Sequence, residues 1–172
     1  DGREPLGLRW AIGELSLGAQ AAPRIKSARA SADRLLVVAD PAADLPAARY
    51  EGEALMQALA GEAGLACDLR VGRLRRADLL RIFKRFSMIH FAGHADPAAD
   101  GRGAGWRLAD GWIDAKAIAA LAGDTAPSLV FINACRSADA VALIDALVDA
   151  GVRHVIGAGV DLPDLPGADF AI

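Results

Sequence analysis

The chain has 172 residues, of which 53% are hydrophobic and 24% charged, a profile typical of one globular domain and not of a disordered or fibrous chain. Its formal net charge of −3 gives no electrostatic basis for direct binding of nucleic acid, and two cysteines are too few for a disulfide framework. Since a signal-peptide pattern and an apolar run of about eighteen residues are both missing, we expect a cytoplasmic protein with no membrane partner.

The predicted elements alternate between strands and helices along most of the chain. Residues 1–33 are expected to form one or two short strands at 6–18 and a surface connection after them, within the same domain as residues 34–172. The later segments alternate between buried-strand and amphipathic-helix patterns, with strands at 35–40, 66–72, 87–93, 127–134 and 153–159 and helices at 47–64, 76–86, 114–123 and 138–151. A Gly- and Ala-rich loop is predicted at 93–105, and Asp-Gly predicts a hairpin within 106–113.

This order of elements predicts an α/β fold. Strands that alternate with helices form a mostly parallel central sheet, and the helices cover both of its faces. We therefore expect a three-layer αβα sandwich. The chain does not begin with methionine and ends on an apolar stretch, which indicates an excerpt from a longer protein.

Two of the predicted strands run into side chains that are capable of chemistry. His94 follows the strand at 87–93, and Cys135 follows the strand at 127–134. Sites in open α/β sheets form beyond the carboxyl ends of the strands. If these two strands are neighbours, the imidazole and the thiol meet at one edge of the sheet.

A thiol and an imidazole so placed suit nucleophilic attack on a carbonyl group. The thiolate is the reactive form of cysteine, and His94, Arg136 and the N-terminus of the following helix each favour it. Such a pair can form an acyl-enzyme and protonate the leaving amine. The backbone N–H groups of Cys135 and of the 93–95 segment, Ala95 in particular, are candidates for an oxyanion hole.

Four stretches, in order, resemble one known family: "MIHFAGHAD", "WRLADGWIDAKAIAAL", "LVFINACRSADA" and "LVDAGVRHVIGAG". They are similar to the CHAT domain, a caspase-like cysteine peptidase domain related to separase and often joined to TPR repeats. The resemblance extends from about residue 34 to residue 172. It implies a caspase-like fold, a catalytic dyad of His94 and Cys135, and a TPR or other regulatory domain in the full-length chain. It also implies that His90 is a strand residue supporting the loop and that Asn133 is buried and structural.

The resemblance further implies a pocket for a basic side chain before the scissile bond. Asp164 falls at the position of an acidic residue in the family, and Asp161 lies close by in the chain. Val160 replaces the tryptophan that is usual in this region. We therefore assign Asp164 and Asp161 to substrate binding as an expectation.

The first hypothesis is a cysteine endopeptidase that acts on a protein substrate without a metal or another cofactor. A catalytically silent interaction module with the same fold is the alternative. A flavodoxin-type binding domain needs a phosphate loop after the first buried strand, and the acidic, proline-rich "VADPAADLP" disfavours it.

Two further sets of polar residues have alternative interpretations. His90 and His94 are four residues apart in a predicted strand, where such positions lie about 13 Å apart, so a shared metal is disfavoured. Asp96 and Asp110 lie near the His94 loop in the sequence. Either can orient the imidazole, and turn formation explains both equally well.

Overall fold

The computed structural model of the chain describes residues 33–96, 105–122, 126–134 and 141–157. The N-terminal strands expected at 6–18 lie outside these ranges. The strands are β1 (Asp33–Ala39), β2 (Leu65–Val71), β3 (Met88–Ala92), β4 (Ala95–Asp96), β5 (Gly105–Leu108), β6 (Gly111–Asp114), β7 (Leu129–Asn133) and β8 (His154–Gly157). The helices are α1 (Pro46–Ala58), α2 (Arg76–Phe83), α3 (Ala115–Ala122) and α4 (Val141–Asp149). Among the described helices, none has the length and apolar character required to cross a membrane.

A five-stranded sheet forms the centre of the described structure, and all of its neighbouring strands are parallel. The strand order is β2-β1-β3-β7-β8. Side chains alternate between the two faces of a strand. Helix α1 packs on one face against a cluster containing Leu35, Val37 and Leu55, and helices α2, α3 and α4 contribute to a larger cluster on the other face. The predicted three-layer αβα sandwich is confirmed.

A smaller antiparallel sheet, ordered β4-β5-β6, follows β3 in the chain. The predicted hairpin is confirmed: Ala109 and Asp110 form its turn, and Gly111, with a φ of 120°, begins β6 opposite Leu108. Strand β4 was not predicted, because two residues are too short to show an alternating pattern. Trp106 of β5 is fully buried and stacks on Phe91 with ring centroids 4.4 Å apart, which fastens this small sheet to the central one.

Helix α1 approaches the central sheet closely at Gly52. A Cβ atom built at this glycine would lie 2.4 Å from the Cβ of Ala39 in β1. The missing side chain therefore allows the helix backbone to approach the strand. This packing places the neighbouring residue Glu51, only 2% exposed, over the sheet.

Asp110 of the hairpin turn stabilises the start of helix α2. The first N–H groups of a helix lack partners within it. The Arg76 N–H donates a 2.9 Å hydrogen bond to Oδ1 of Asp110, and the Arg76 guanidinium Nε lies 3.6 Å from Oδ2. The hydrogen bond from the Arg76 backbone and the positive charge of its side chain lower the pKa of the Asp110 carboxyl.

Substitution of Gly52→Ala is expected to destabilise the fold, although alanine favours helices. Alanine gains about 1 kcal/mol of helix propensity over glycine. Overpacking costs about 1–3 kcal/mol, and the contact with Ala39 is between atoms that cannot rotate away. Urea unfolding measures the free energy, with Glu53→Ala at an exposed site of the same helix as the control. A Gly52→Ala protein more stable than wild type would contradict the close packing.

Substitution of Asp110→Ala is expected to lower the melting temperature at about pH 7 and to have little effect at about pH 2. The pKa of Asp110 is lowered in the folded state, so its stabilisation is present above the ordinary value of 3.8 and disappears as the pH falls through the folded-state pKa. Thermal unfolding followed by circular dichroism across this range tests the sign. A difference that persists unchanged at the acid end would exclude the carboxylate as its source.

Candidate active site

The candidate site lies at the point where the strand order of the central sheet reverses. From β1 the chain crosses to β2 on one side, and it then returns to β3 on the other side. Loops leaving the carboxyl ends of β1 and β3 diverge at such a point and open a crevice. Asp44 lies in the loop after β1, and His94 lies in the loop after β3.

Strands β3 and β7 are hydrogen-bonded neighbours, which is the condition that the predicted Cys–His pair requires. Ala92 is in register with Asn133, and the Gly93 N–H donates a 3.3 Å hydrogen bond to the Asn133 carbonyl. His94 is two residues beyond Ala92, and Cys135 is two residues beyond Asn133. Adjacent parallel strands are about 4.8 Å apart. The two segments that follow β3 and β7 therefore leave the sheet side by side and at the same level. Cys135 itself lies outside the described residues.

His94, whose imidazole is 38% exposed, is held by one contact to its ring and one to its backbone. Its Nε2 lies 3.0 Å from Oδ1 of Asp44, and its backbone carbonyl accepts a 3.0 Å hydrogen bond from the Arg107 N–H. An ionised carboxylate can only accept, so the proton of the neutral ring is on Nε2. This leaves Nδ1 as the basic nitrogen, available for a proton from another group.

Asp44 is fixed by contacts on both sides. Its Oδ2 lies 3.1 Å from a guanidinium nitrogen of Arg107, while its Oδ1 faces His94. Its backbone N–H and that of Leu45 donate to Oδ1 of the buried Asp40, at 2.8 and 2.9 Å. Asp40 itself has a φ of 50°, a conformation that aspartate tolerates better than most residues. The loop after β1 is therefore shaped to present one carboxylate to the imidazole.

Among the described side chains, the acid that contacts His94 is Asp44, which was not predicted from the sequence. Asp110 binds the start of α2, as described above. The backbone of Asp96 pairs with Gly105 in the small sheet, and its side chain lies outside the described part of the chain. Asp44 was not predicted, because the proline-rich loop that contains it was interpreted only as unsuited to phosphate binding. Its position directly after a buried strand beside β3 was the available signal.

Ala95, a candidate oxyanion donor, lies in β4 opposite Trp106. Because the Arg107 N–H donates to the His94 carbonyl, Ala95 and Trp106 form a pair that exchanges no backbone hydrogen bonds. The N–H of Ala95 therefore points away from β5. Cys135, the other predicted donor, is outside the described residues.

A buried polar cluster lies beneath the exposed edge. Glu51 of helix α1 contacts Nε2 of His90 through Oε1 at 2.5 Å, and its Oε2 accepts a 2.6 Å hydrogen bond from Nδ2 of Asn133. Asn133 is 9% exposed, which confirms that it is buried, and His90 is a buried residue of β3. Glu51 was not predicted. Its signal was an acidic residue placed between Ala48 and Leu55 on the inward face of the helix.

The structure does not describe the remaining predicted site residues. Cys135, Arg136, Val160, Asp161 and Asp164 all lie outside the described residues. Within the described ranges, no three His, Cys, Asp or Glu side chains are grouped as a metal ion would require.

Cys67 lies in β2 at the edge of the central sheet, partly buried against the cluster beneath α1. Burial raises the pKa of its thiol, so little of it is thiolate near neutral pH. Both observations are those of a cysteine with a packing role.

Similarity to a known protein family extends over almost the whole chain. The family model of the CHAT domain matches residues 1–171. No curated protein matches the chain. The match covers nearly the whole sequence and includes both of the loops that follow β3 and β7. The chain therefore belongs to the CHAT domain family, which is related to the caspase-like cysteine peptidases.

Proposed function

We propose that the chain is a cysteine endopeptidase in which Cys135 is the nucleophile and His94 the general base and acid. The observation that carries this proposal is the register of β3 and β7, which aligns Ala92 with Asn133. A dyad needs its two groups within hydrogen-bond reach, and neighbouring strands that end at the same height favour this. The sequence distance from each aligned residue to its reactive residue is the same.

The proposed reaction moves two protons through His94: the thiol proton passes to the leaving amine, and a proton from water later passes to the sulfur when the C–S bond breaks. His94 accepts the thiol proton at Nδ1, and the Cys135 thiolate attacks the scissile carbonyl carbon. Collapse of the tetrahedral intermediate breaks the C–N bond, and the imidazolium protonates the leaving amine. A water molecule then gives a proton to His94, attacks the thioester, and releases the carboxylic acid and the thiol. The N–H groups of Ala95 and Cys135 would stabilise both oxyanions.

Asp44 has the geometry of a third member of this site. Its carboxylate holds the Nε2–H of His94 and so selects the tautomer with the lone pair on Nδ1. It also stabilises the imidazolium that forms during the reaction. Arg107 offsets part of the negative charge of Asp44 and keeps its second oxygen occupied.

The proposed substrate is a protein chain cleaved after a basic residue. This preference comes from the family resemblance, which assigns Asp164 and Asp161 to the pocket for that side chain. A partly exposed imidazole at an open edge of the sheet is accessible to an extended polypeptide. A TPR or other regulatory domain in the full-length chain is part of the same proposal.

A peptidyl chloromethyl ketone that ends in arginine tests the dyad directly. We expect the thiolate of Cys135 to displace chloride from this probe, forming a thioether. Mass spectrometry of the labelled peptides gives the rate at each cysteine. His94→Ala should slow labelling of Cys135 by about 100-fold or more, the usual scale for loss of a general base.

Cys135→Ala should abolish cleavage of proteins in a lysate while leaving the circular dichroism spectrum unchanged.

Cys67 is the internal control, because its pKa is raised and its reaction should be slow in every variant. Labelling of Cys135 at the Cys67 rate in wild type, unchanged by His94→Ala, would contradict the peptidase. That result would favour the silent interaction module. An equally fast reaction with a probe ending in alanine would remove the basic preference alone.

The contribution of Asp44 is tested by Asp44→Asn. The amide keeps the shape of the side chain but has no charge to stabilise the imidazolium, so labelling of Cys135 should slow by about tenfold or more. Arg107→Ala removes the other partner of Asp44 and leaves the acid in place, so its effect should be smaller. If both variants react at the wild-type rate, Asp44 does not act on His94.

A further inference from the structure

We infer that Glu51 is a positioning residue of the candidate site. Its carboxylate joins the carboxyl-terminal ends of β3 and β7, the two strands that the proposed catalytic residues follow in the sequence. This inference rests on the proposed function, and it assigns a role to a helix residue that lies beneath the reacting groups.

The contacts of Glu51 divide between the two strands. Oε1 pairs with His90 of β3 at 2.5 Å, and Oε2 accepts from Asn133 of β7 at 2.6 Å. The exposed fractions are 2% for Glu51, 5% for His90 and 9% for Asn133, so water does not compete for these bonds. The ring of His90 also stacks on Phe131 of β7, with centroids 4.9 Å apart and planes 7° apart. The two strands are thus connected through side chains as well as through the backbone.

The position of Asn133 makes this connection relevant to the thiol. It precedes Cys135 by two residues, and its carbonyl accepts the Gly93 N–H, one residue before His94. Its main chain is therefore tied to the His94 loop, and its side chain is tied to Glu51. Loss of the side-chain tie removes one of the contacts that hold the end of β7 in place, so a small displacement becomes easier. A displacement of about 1 Å from the reactive geometry can slow a reaction by about 100-fold.

A carboxylate is specifically suited to this location. Two donors, His90 Nε2–H and Asn133 Nδ2–H, point at one side chain, and only an ionised acid offers two accepting oxygens. Glutamine has one acceptor and would present its own N–H₂ group to one of these donors. Burial of a carboxylate costs desolvation energy that apolar packing in its place would avoid. The specific geometry, more than the stability, accounts for an acid here.

The test exchanges the acid of Glu51 in helix α1 with the amide of Asn133 in strand β7. In Glu51→Gln, when the amide oxygen accepts from His90, the N–H₂ group faces the amide of Asn133 and the tie to β7 is lost. The double variant Glu51→Gln with Asn133→Asp restores one acceptor and one donor in complementary order and keeps the net charge. The readout is the rate of Cys135 labelling by the arginine chloromethyl ketone per folded molecule. Urea unfolding measures stability separately, and Glu53→Gln, exposed on the same helix, is the matched control.

We expect Glu51→Gln to slow labelling by about tenfold or more, and the double variant to return to within about threefold of wild type. A purely structural role would lower the unfolding free energy without changing the labelling rate of folded protein, and that result would overturn the inference. Failure of a folded double variant to recover the rate would also overturn it.

If Glu51→Gln does not fold, Asn133→Ala provides the second measurement. It leaves the pair of Glu51 and His90 in place and removes the hydrogen bond from Asn133 to Glu51, so the same slowing is expected. A wild-type rate in folded Asn133→Ala would overturn the inference. Failure of the proposed function is distinguishable, since wild-type Cys135 would then react no faster than Cys67 and would not depend on His94.

Discussion

The parallel pairing of β3 with β7 is the constraint on which the rest of the candidate site depends. A shift of one residue between these strands would separate the two following loops by about 3.3 Å and would turn every side chain of one strand to the opposite face. Phe91 and Ile132 lie in the apolar core on one face, while His90 and Asn133 meet Glu51 on the other. Both faces therefore oppose a shift, and the height at which each loop leaves the sheet is determined by packing and hydrogen bonding together.

Two pairs of histidine and carboxylate occur at different depths along the same strand and loop. His90 and Glu51 are buried, and every oxygen of the carboxylate is used inside the protein. His94 and Asp44 are about two-fifths exposed at the carboxyl edge. The deeper pair is closed and suits a role in holding the strands. The outer pair leaves the second ring nitrogen of His94 free of the carboxylate, so the difference in exposure between the two pairs matches the different roles that we propose for them.

The alternation of elements and the position of His94 were predictable from the sequence, because both depend on local patterns. Buried parallel strands are continuous apolar runs, and the residue after such a run must lie at the carboxyl edge of the sheet. The partners Asp44 and Glu51 were not predicted, since each meets its histidine across about 40 to 50 residues of chain and only the strand order brings them together. Strand β4 was not predicted for a different reason, because two residues are too few to show the alternation of apolar and polar side chains that is typical of a strand. Asp110 shows the converse, because a turn residue near His94 in sequence caps a helix instead.

Stability does not account for the polar groups collected at this edge. A partly exposed ion pair contributes about 0–1 kcal/mol, so Asp44 with His94 and Arg107 adds little to the fold. A buried cluster such as Glu51 with His90 and Asn133 is often matched or exceeded in stability by apolar side chains of similar volume. A silent interaction module does not require both sets within a few residues of one strand end. Their shared location is explained if the edge must hold a reactive imidazole in one orientation and a thiol-bearing chain at one distance from it, and this supports the peptidase over the silent module.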